Sequence, residues 1–432
     1  MNKIVTLIQS NKLVSQFLVL LTGEGIVSIL NIISLAIIVK AIGLENNGII
    51  LSLQTFCLLF NNIFGFKSFQ ALIKFLSVSI HEQDKDKTKS YIFQSYILDI
   101  IAVIIATIFS LLFLKVYSNF MGWTVNVSMY APIFIFAYMF QIQGTATGVL
   151  RVYDKFNYIT YSNVAVNFIR FILYFIGLFI TSNLIYFIII EAILIILPNI
   201  ILNYYAYKTL KEYELNDFYK CKFNIEKEFF KFNLYSNISS TIDIPVGTLT
   251  TIFINKYLGY ELISVYKIFE KLGGLINKLG SPLSQIIYPE MNAHIAKNDF
   301  DSARKLNKYL FLWLNVLGIF ILLATVLTYK IWLGWFINDS DKYIISLLFY
   351  FILIIFVNST VGVHSLFMAL NYIKYNIYIL LIINIVYLGI LGFFINLYQL
   401  NGVIFALLLQ AIAVIVVKMY ILIKNKFREC PI

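Results

Sequence analysis

The chain has 432 residues, 60% of them hydrophobic and 13% charged, with a mean hydropathy of +0.84. Soluble domains carry about a quarter charged residues, so this composition excludes an ordinary soluble protein and describes a polytopic membrane protein. The net charge of +11 needs no nucleic-acid partner, because its distribution along the chain follows a topology.

A bilayer core of roughly 30 Å takes about 20 apolar residues per crossing, and each crossing here is expected to be a helix, since hydrocarbon cannot satisfy an open backbone. Twelve such runs are predicted: 16 to 40, 47 to 66, 91 to 115, 127 to 150, 158 to 181, 184 to 207, 230 to 255, 262 to 288, 308 to 331, 344 to 370, 375 to 396 and 401 to 423. The first is too long and too poorly flanked for a cleaved signal peptide, so it is read as a retained span. It closes on "VKAIGLENNG", and Lys40, Gly43 and Glu45 have counterparts in Lys256, Gly259 and Glu261, each 216 residues later, half the chain. A glycine there suits the end of a helix, with the lysine in its last turn.

Residues 208–229, the longest charged interval, divide six spans from six. The predicted organisation is an N-terminal lobe over 1–210, a cytoplasmic linker over 211–229 and a C-terminal lobe over 230–432. Six is even, so the second half re-enters in the same orientation and the repeat is parallel. "DKFNY" after the fourth span and "IKYNI" after the tenth agree with that displacement. Placing the N-terminus in the cytoplasm puts 24 of the 33 lysines and arginines inside, Lys3, Lys12, Lys67, Lys222, Lys426 and Arg428 among them, and five outside. That bias is the positive-inside pattern. Cys57, Cys221 and Cys430 are isolated, giving neither a metal spacing nor a disulfide framework, and no metal or cofactor is expected.

The remaining four basic residues lie within spans, where a charge costs at least about 2.5 kcal/mol and marks a functional candidate. In span 5, Asn163, Asn167, Arg170 and Tyr174 recur at helical period, a polar stripe that either faces a cavity or packs against a neighbouring helix. In span 8, Lys267, Lys271 and Lys278 share one face over roughly 16 Å, with Glu270 within reach of Lys267. They either line a water-filled cavity, or Lys267 and Lys278 snorkel to opposite interfaces while Lys271 pairs with an acid. The positions 216 residues earlier, Leu51, Thr55 and Asn62, are neutral.

Acidic candidates are Glu24 in span 1, Asp99 in span 3, Glu191 in span 6, and Asp243 in span 7, where Pro245 is expected to kink the helix. Glu24, Asp243 and Glu270 are candidate ion-coupling groups, with the alternative for Glu24 and Asp243 of neutralising a cavity lysine or staying protonated, and for Glu270 of pairing with Lys267. Asp99 and Glu191 are read as helix-packing or partner residues, and His364 in span 10 as a core histidine or a proton shuttle. Pro132, Pro198, Pro282 and Pro289, with Gly273, Gly274 and Gly280, are expected to mark interrupted helices.

"KAIGLENNG", "RVYDKFN" after span 4, Asp243 in span 7, "YLGYELISVYKIFEKL" and "SPLSQIIYPEMN" together resemble the Wzx-type O-antigen or capsule repeat-unit flippases. These polysaccharide export proteins share a superfamily with multidrug and toxin extruders and the lipid II flippase. The first turn has lysine where arginine is frequent in that family. The resemblance implies an all-α integral membrane protein, twelve transmembrane helices in two parallel six-helix lobes around a central cavity. It also implies a substrate of oligosaccharide linked through diphosphate to undecaprenol, energy from the proton gradient, and the polymerase and chain-length proteins of the glycan pathway as partners. A cationic wall would offset the desolvation of that diphosphate, with Arg170 and Lys271 foremost. A multidrug exporter of the same fold, a membrane-embedded transferase and a non-transporting scaffold remain alternatives. No catalytic cluster or phosphate-cradling glycine loop supports an enzyme.

Overall fold

The computed structural model describes residues 12–66, 68–221, 226–297 and 299–424, with side chains over the same ranges apart from 12–22, 279–286, 289 and 293. Lys3, Lys12, Lys67, Lys222, Lys426, Arg428, Cys430, Gly280, Pro282 and Pro289, and most of "SPLSQIIYPEMN", therefore lie outside the described side chains. All regular structure among the described residues is helical, in two compact units, residues 1–241 and 242–432.

The first unit contains α1 (Lys12–Phe64), α2 (Ser68–His81), α3 (Lys85–Met121), α4 (Val125–Tyr138), α5 (Gly144–Val152), α6 (Phe156–Ile180), α7 (Leu184–Glu212), a 3-10 turn (Phe218–Lys220) and α8 (Lys227–Thr241). Gly23 lets α1 approach α6: a Cβ there would lie 2.1 Å from the Thr160 methyl. One core of Leu72, Leu76, Val149, Leu150, Leu210 and Phe229 joins α2, α5, α7 and α8. The second unit contains a π-helical turn (Pro245–Leu249), α9 (Thr250–Leu258), α10 (Tyr260–Ala296), α11 (Phe300–Trp332), a 3-10 turn (Leu333–Trp335), α12 (Ser340–Ser359), α13 (Val361–Ala369) and α14 (Ile373–Lys424). Its core gathers Met291, Ala303, Leu366, Phe367 and Val414.

Seven of these helical segments are long and apolar enough to cross a membrane, and the chain is a multi-pass membrane protein. α1 and α14, of 53 and 52 residues, would each run about 80 Å if straight. They are broken instead, α1 at Gly43 (φ 80, ψ 167) and α14 at Gln399 (φ 51, ψ −129). Gly259, between α9 and α10, has φ 86 and ψ −177, the same region as Gly43. That region belongs to glycine almost alone; it is the extended counterpart of the helix-ending left-handed turn the sequence suggested. Asp154 (φ 57) and Asn371 (φ 61) likewise share the left-handed conformation just ahead of α6 and α14.

One expectation is corrected. The helices run through Pro132 and Pro198, and α10 continues past positions 282 and 289. Each proline removes one intrahelical bond, which a packed membrane helix tolerates. The breaks fall elsewhere, at 139–143 between α4 and α5, at 242–249, and at Thr360 between α12 and α13. Part of the stretch after α7 is docked on the first unit. Lys85 Nζ lies 2.7 Å from Glu214 and Lys89 Nζ 2.5 Å from Asp217, holding both carboxyls below their usual range through direct hydrogen bonds. Tyr96 stacks on Phe218, and α8 packs in the same unit, so the division falls after Thr241.

Open space surrounds the Cβ positions of Gly43 and Gly259, so their cost of substitution is purely conformational. Gly43→Ala and Gly259→Ala should each lower stability by about 1–3 kcal/mol. Gly274→Ala, at an open helical position of α10, should be neutral or stabilise by up to about 1 kcal/mol. Thermal unfolding of the purified protein in detergent measures all three.

Candidate functional site

The polar stripe of span 5 lies on α6, and the short turn after α6 determines what it meets. Asn183 caps α7 by accepting from the Ile185 amide at 2.9 Å. Gly177 leaves room for Tyr186, to which a Cβ would come within 2.5 Å, and Tyr186 donates to the Leu173 carbonyl at 2.9 Å. This tight hairpin sets Glu191, two turns into α7, opposite Arg170 and Tyr174.

Arg170 Nε lies 3.3 Å from Glu191 Oε1, with the two side chains 23% and 10% exposed. Arg170 Nη1 also donates to Asn167 Oδ1 at 2.9 Å and, across to α1, to Asn31 Oδ1 at 3.1 Å. Glu191 accepts from Gln54 Nε2 of α1 at 2.7 Å and from the Tyr174 hydroxyl. Asn163 joins only through its carbonyl, which accepts from Asn167 at 2.8 Å; its side chain is exposed. The structure thus gathers Asn167, Arg170 and Tyr174 as their spacing implies and adds Glu191, Gln54 and Asn31, which sequence spacing could not connect. Within its span the guanidinium is met by the carboxyl group of Glu191 and by two side-chain amide oxygens, as a buried charge requires. Its fork stays suited to a planar or tetrahedral oxyanion.

Asp99 has a different office. Its carboxylate accepts from the Thr145 amide and hydroxyl, both at 2.8 Å, and so caps α5 from α3. Gly144 makes this possible, since a Cβ there would lie 3.0 Å from both carboxylate oxygens.

In the second unit, Lys267 pairs with Glu270 at 2.5 Å, so a candidate substrate cation and a candidate coupling acid neutralise each other. Lys271 is exposed and Lys278 half-buried along the same unbroken helix. Beside Lys271, Gly273 lets Tyr350 of α12 pack closely: a Cβ would come 2.7 Å from its ring.

Asp243 is exposed at the break before Pro245, and among the described residues its carboxylate has no hydrogen bond or ion pair. The break around it is secured from α14: Gln410 donates to Asn384 Oδ1 at 2.9 Å, and Asn384 donates to the Ile242 carbonyl at 2.7 Å. Thr250 donates to the Val246 carbonyl at 2.8 Å and lies 2.6 Å from the Tyr387 hydroxyl. Glu24 is exposed on α1, and its carbonyl accepts from Ser28. Lys418, near the end of α14, is 3% exposed, with Nζ 3.0 Å from His364 Nδ1. Its place near a helix end concealed this pairing.

The sequence model of the polysaccharide biosynthesis protein family matches residues 13–295. The chain belongs to this family. Among curated proteins no sequence matches it. The fold of this polysaccharide biosynthesis protein is similar to that of an inward-facing multidrug resistance MATE family transporter of the MOP superfamily, with a TM-score of 0.71 at 13% identity, over 93% of this chain and 96% of that one. It is similar to the lipid II flippase MurJ in its inward closed conformation, at a TM-score of 0.66 and 15% identity, over 94% of this chain and 87% of that one. A MOP superfamily transporter from Pyrococcus furiosus, described by the reverse polarity of its binding pocket, gives a TM-score of 0.60 at 14% identity, over 95% of both chains. This family member therefore has a membrane-transporter fold.

Removing one partner of a buried ion pair strands the other, at a cost of about 3–5 kcal/mol. Arg170→Ala should therefore be strongly destabilising alone and much less so beside Glu191→Gln, which removes the stranded charge. A double-mutant cycle on thermal stability measures the coupling; additive effects would contradict the pairing.

Proposed function

We propose that this protein is a flippase. It translocates undecaprenyl-diphosphate-linked oligosaccharide repeat units, O antigen or capsule, from the cytoplasmic to the external leaflet by alternating access, coupled to the proton gradient. It acts in the bacterial inner membrane with both termini in the cytoplasm and twelve helices crossing the bilayer. The observation that carries this reading is a guanidinium held in the membrane interior by side chains of three helices, in a member of the polysaccharide biosynthesis family. Arg170 meets the substrate diphosphate, with Asn163 and Asn167 beside it, and Lys267, Lys271 and Lys278 supply further positive charge to the translocated lipid. Glu24, Asp243 and Glu270 are the proposed coupling carboxylates. The shared conformation of Gly43 and Gly259 supports two parallel six-helix halves.

The MATE likeness supports a second reading, an exporter of small organic cations. Four basic residues within spans favour an anionic cargo instead. Two experiments separate the readings. Deleting the gene should cause lipid-linked repeat units to accumulate on the cytoplasmic face, which loss of a drug exporter would not do. Lys271→Ala, and Arg170→Ala combined with Glu191→Gln, should abolish surface glycan at unchanged protein abundance in the membrane. Normal glycan display in both variants would sink the assignment of these residues.

A further inference from the structure

Within the second unit, a crevice of about 650 Å³ opens between α11 and the last turns of α14, floored by the end of α12 and by α13. Its size is that of a ligand pocket, roughly 300–1,000 Å³, and its polar groups are segregated. Arg304, Asn307 and Lys308 occupy one end, all on α11. The floor is Thr360, Val363, Leu366 and Leu422, all buried. The mouth carries Phe311, Met419 and Ile423, all exposed apolar side chains. Arg304 and Lys308 are one helical turn apart and so share a face. Asp301 lies 3.9 Å from Arg304 and is 87% exposed. A pair so exposed contributes little, and counting Asp301 still leaves an excess of positive charge.

We infer that this crevice is a binding site for an acidic phospholipid, with an acyl chain in the apolar floor and the phosphate on Arg304 and Lys308. Charge complementarity selects this occupant: a pure acyl-chain groove would need no cations, and a soluble anion would need no apolar floor. The cations lie where α11 begins and α14 ends, the side that the charge distribution along the sequence assigns to the cytoplasm. Basic pockets between helices on that side recognise anionic headgroups. The site uses none of the residues proposed to meet the translocated lipid. Asn307 packs against Gly362, where a Cβ would come 2.3 Å from its Oδ1, and so holds this stretch of α11 against α13.

The test is native mass spectrometry of the purified full-length protein, titrated with phosphatidylglycerol or phosphatidylcholine of the same acyl chains. Phosphatidylglycerol should be retained at least about tenfold more strongly, each tenfold being about 1.4 kcal/mol. The double variant R304Q/K308Q should remove that preference. Lys305→Gln, an equal loss of charge per residue at an exposed position that does not line the crevice, should preserve it. Met419→Trp fills the mouth without touching the charges and should reduce retention of both lipids. The inference is overturned if phosphatidylcholine is held equally well, if Lys305→Gln acts like the double variant, or if Met419→Trp changes nothing. Undecaprenyl phosphate displacing phosphatidylglycerol stoichiometrically at lower concentration would also overturn it, by reassigning the crevice to the polyprenyl lipid.

Discussion

Inside a bilayer, every amide and carbonyl that leaves a helix must find a partner within the protein. This constraint governs where the chain can bend. At the break between α4 and α5, Asn203 donates to the Ile142 carbonyl at 2.6 Å while Asp99 receives the Thr145 amide. At the break around Pro245, Asn384 and Thr250 answer the Ile242 and Val246 carbonyls. At Thr360 the residue's own hydroxyl folds back to Phe356 and Val357. Two of these breaks are secured by side chains from neighbouring helices and the third by its own threonine, which is why polar residues that read as exceptions in apolar spans recur beside them.

The intramembrane charges obey a related rule. A charge buried in low dielectric is tolerated when an opposite charge and hydrogen bonds meet it. Arg170 and Glu191 satisfy this across a helical hairpin, and Lys267 and Glu270 within one turn. If the cargo is anionic, as proposed, it would meet at Arg170 a guanidinium already engaged by Glu191.

Charged side chains outside this interior serve docking and surface roles. The Lys85–Glu214 and Lys89–Asp217 pairs fasten the segment after α7 to the start of α3. Exposed pairs are individually weak, and the aromatic stack of Tyr96 on Phe218 and the ring contact of Tyr153 with Tyr213 add apolar area to the same seam. A stretch that reads as a charged linker becomes part of a compact unit by this means.

The sequence by itself determined the class of protein, because hydropathy and length are properties of each run alone and the bilayer admits only helices there. It also located the special turns, since the positive φ of Gly43 and Gly259 is a local demand that glycine answers. The polar stripe on α6 was legible for the same reason, being spaced by one helix's own period. What the stripe meets was decided by tertiary structure: Glu191, Gln54 and Asn31 come from other helices, and no local pattern records which faces pack together. Proline marked the break at Pro245 but not those at 139–143 and Thr360, because whether a span bends depends on which side chain can answer the freed backbone. Asp99, Asn203 and Asn384 are such side chains, and only the packing of helices far apart in the chain brings them into place.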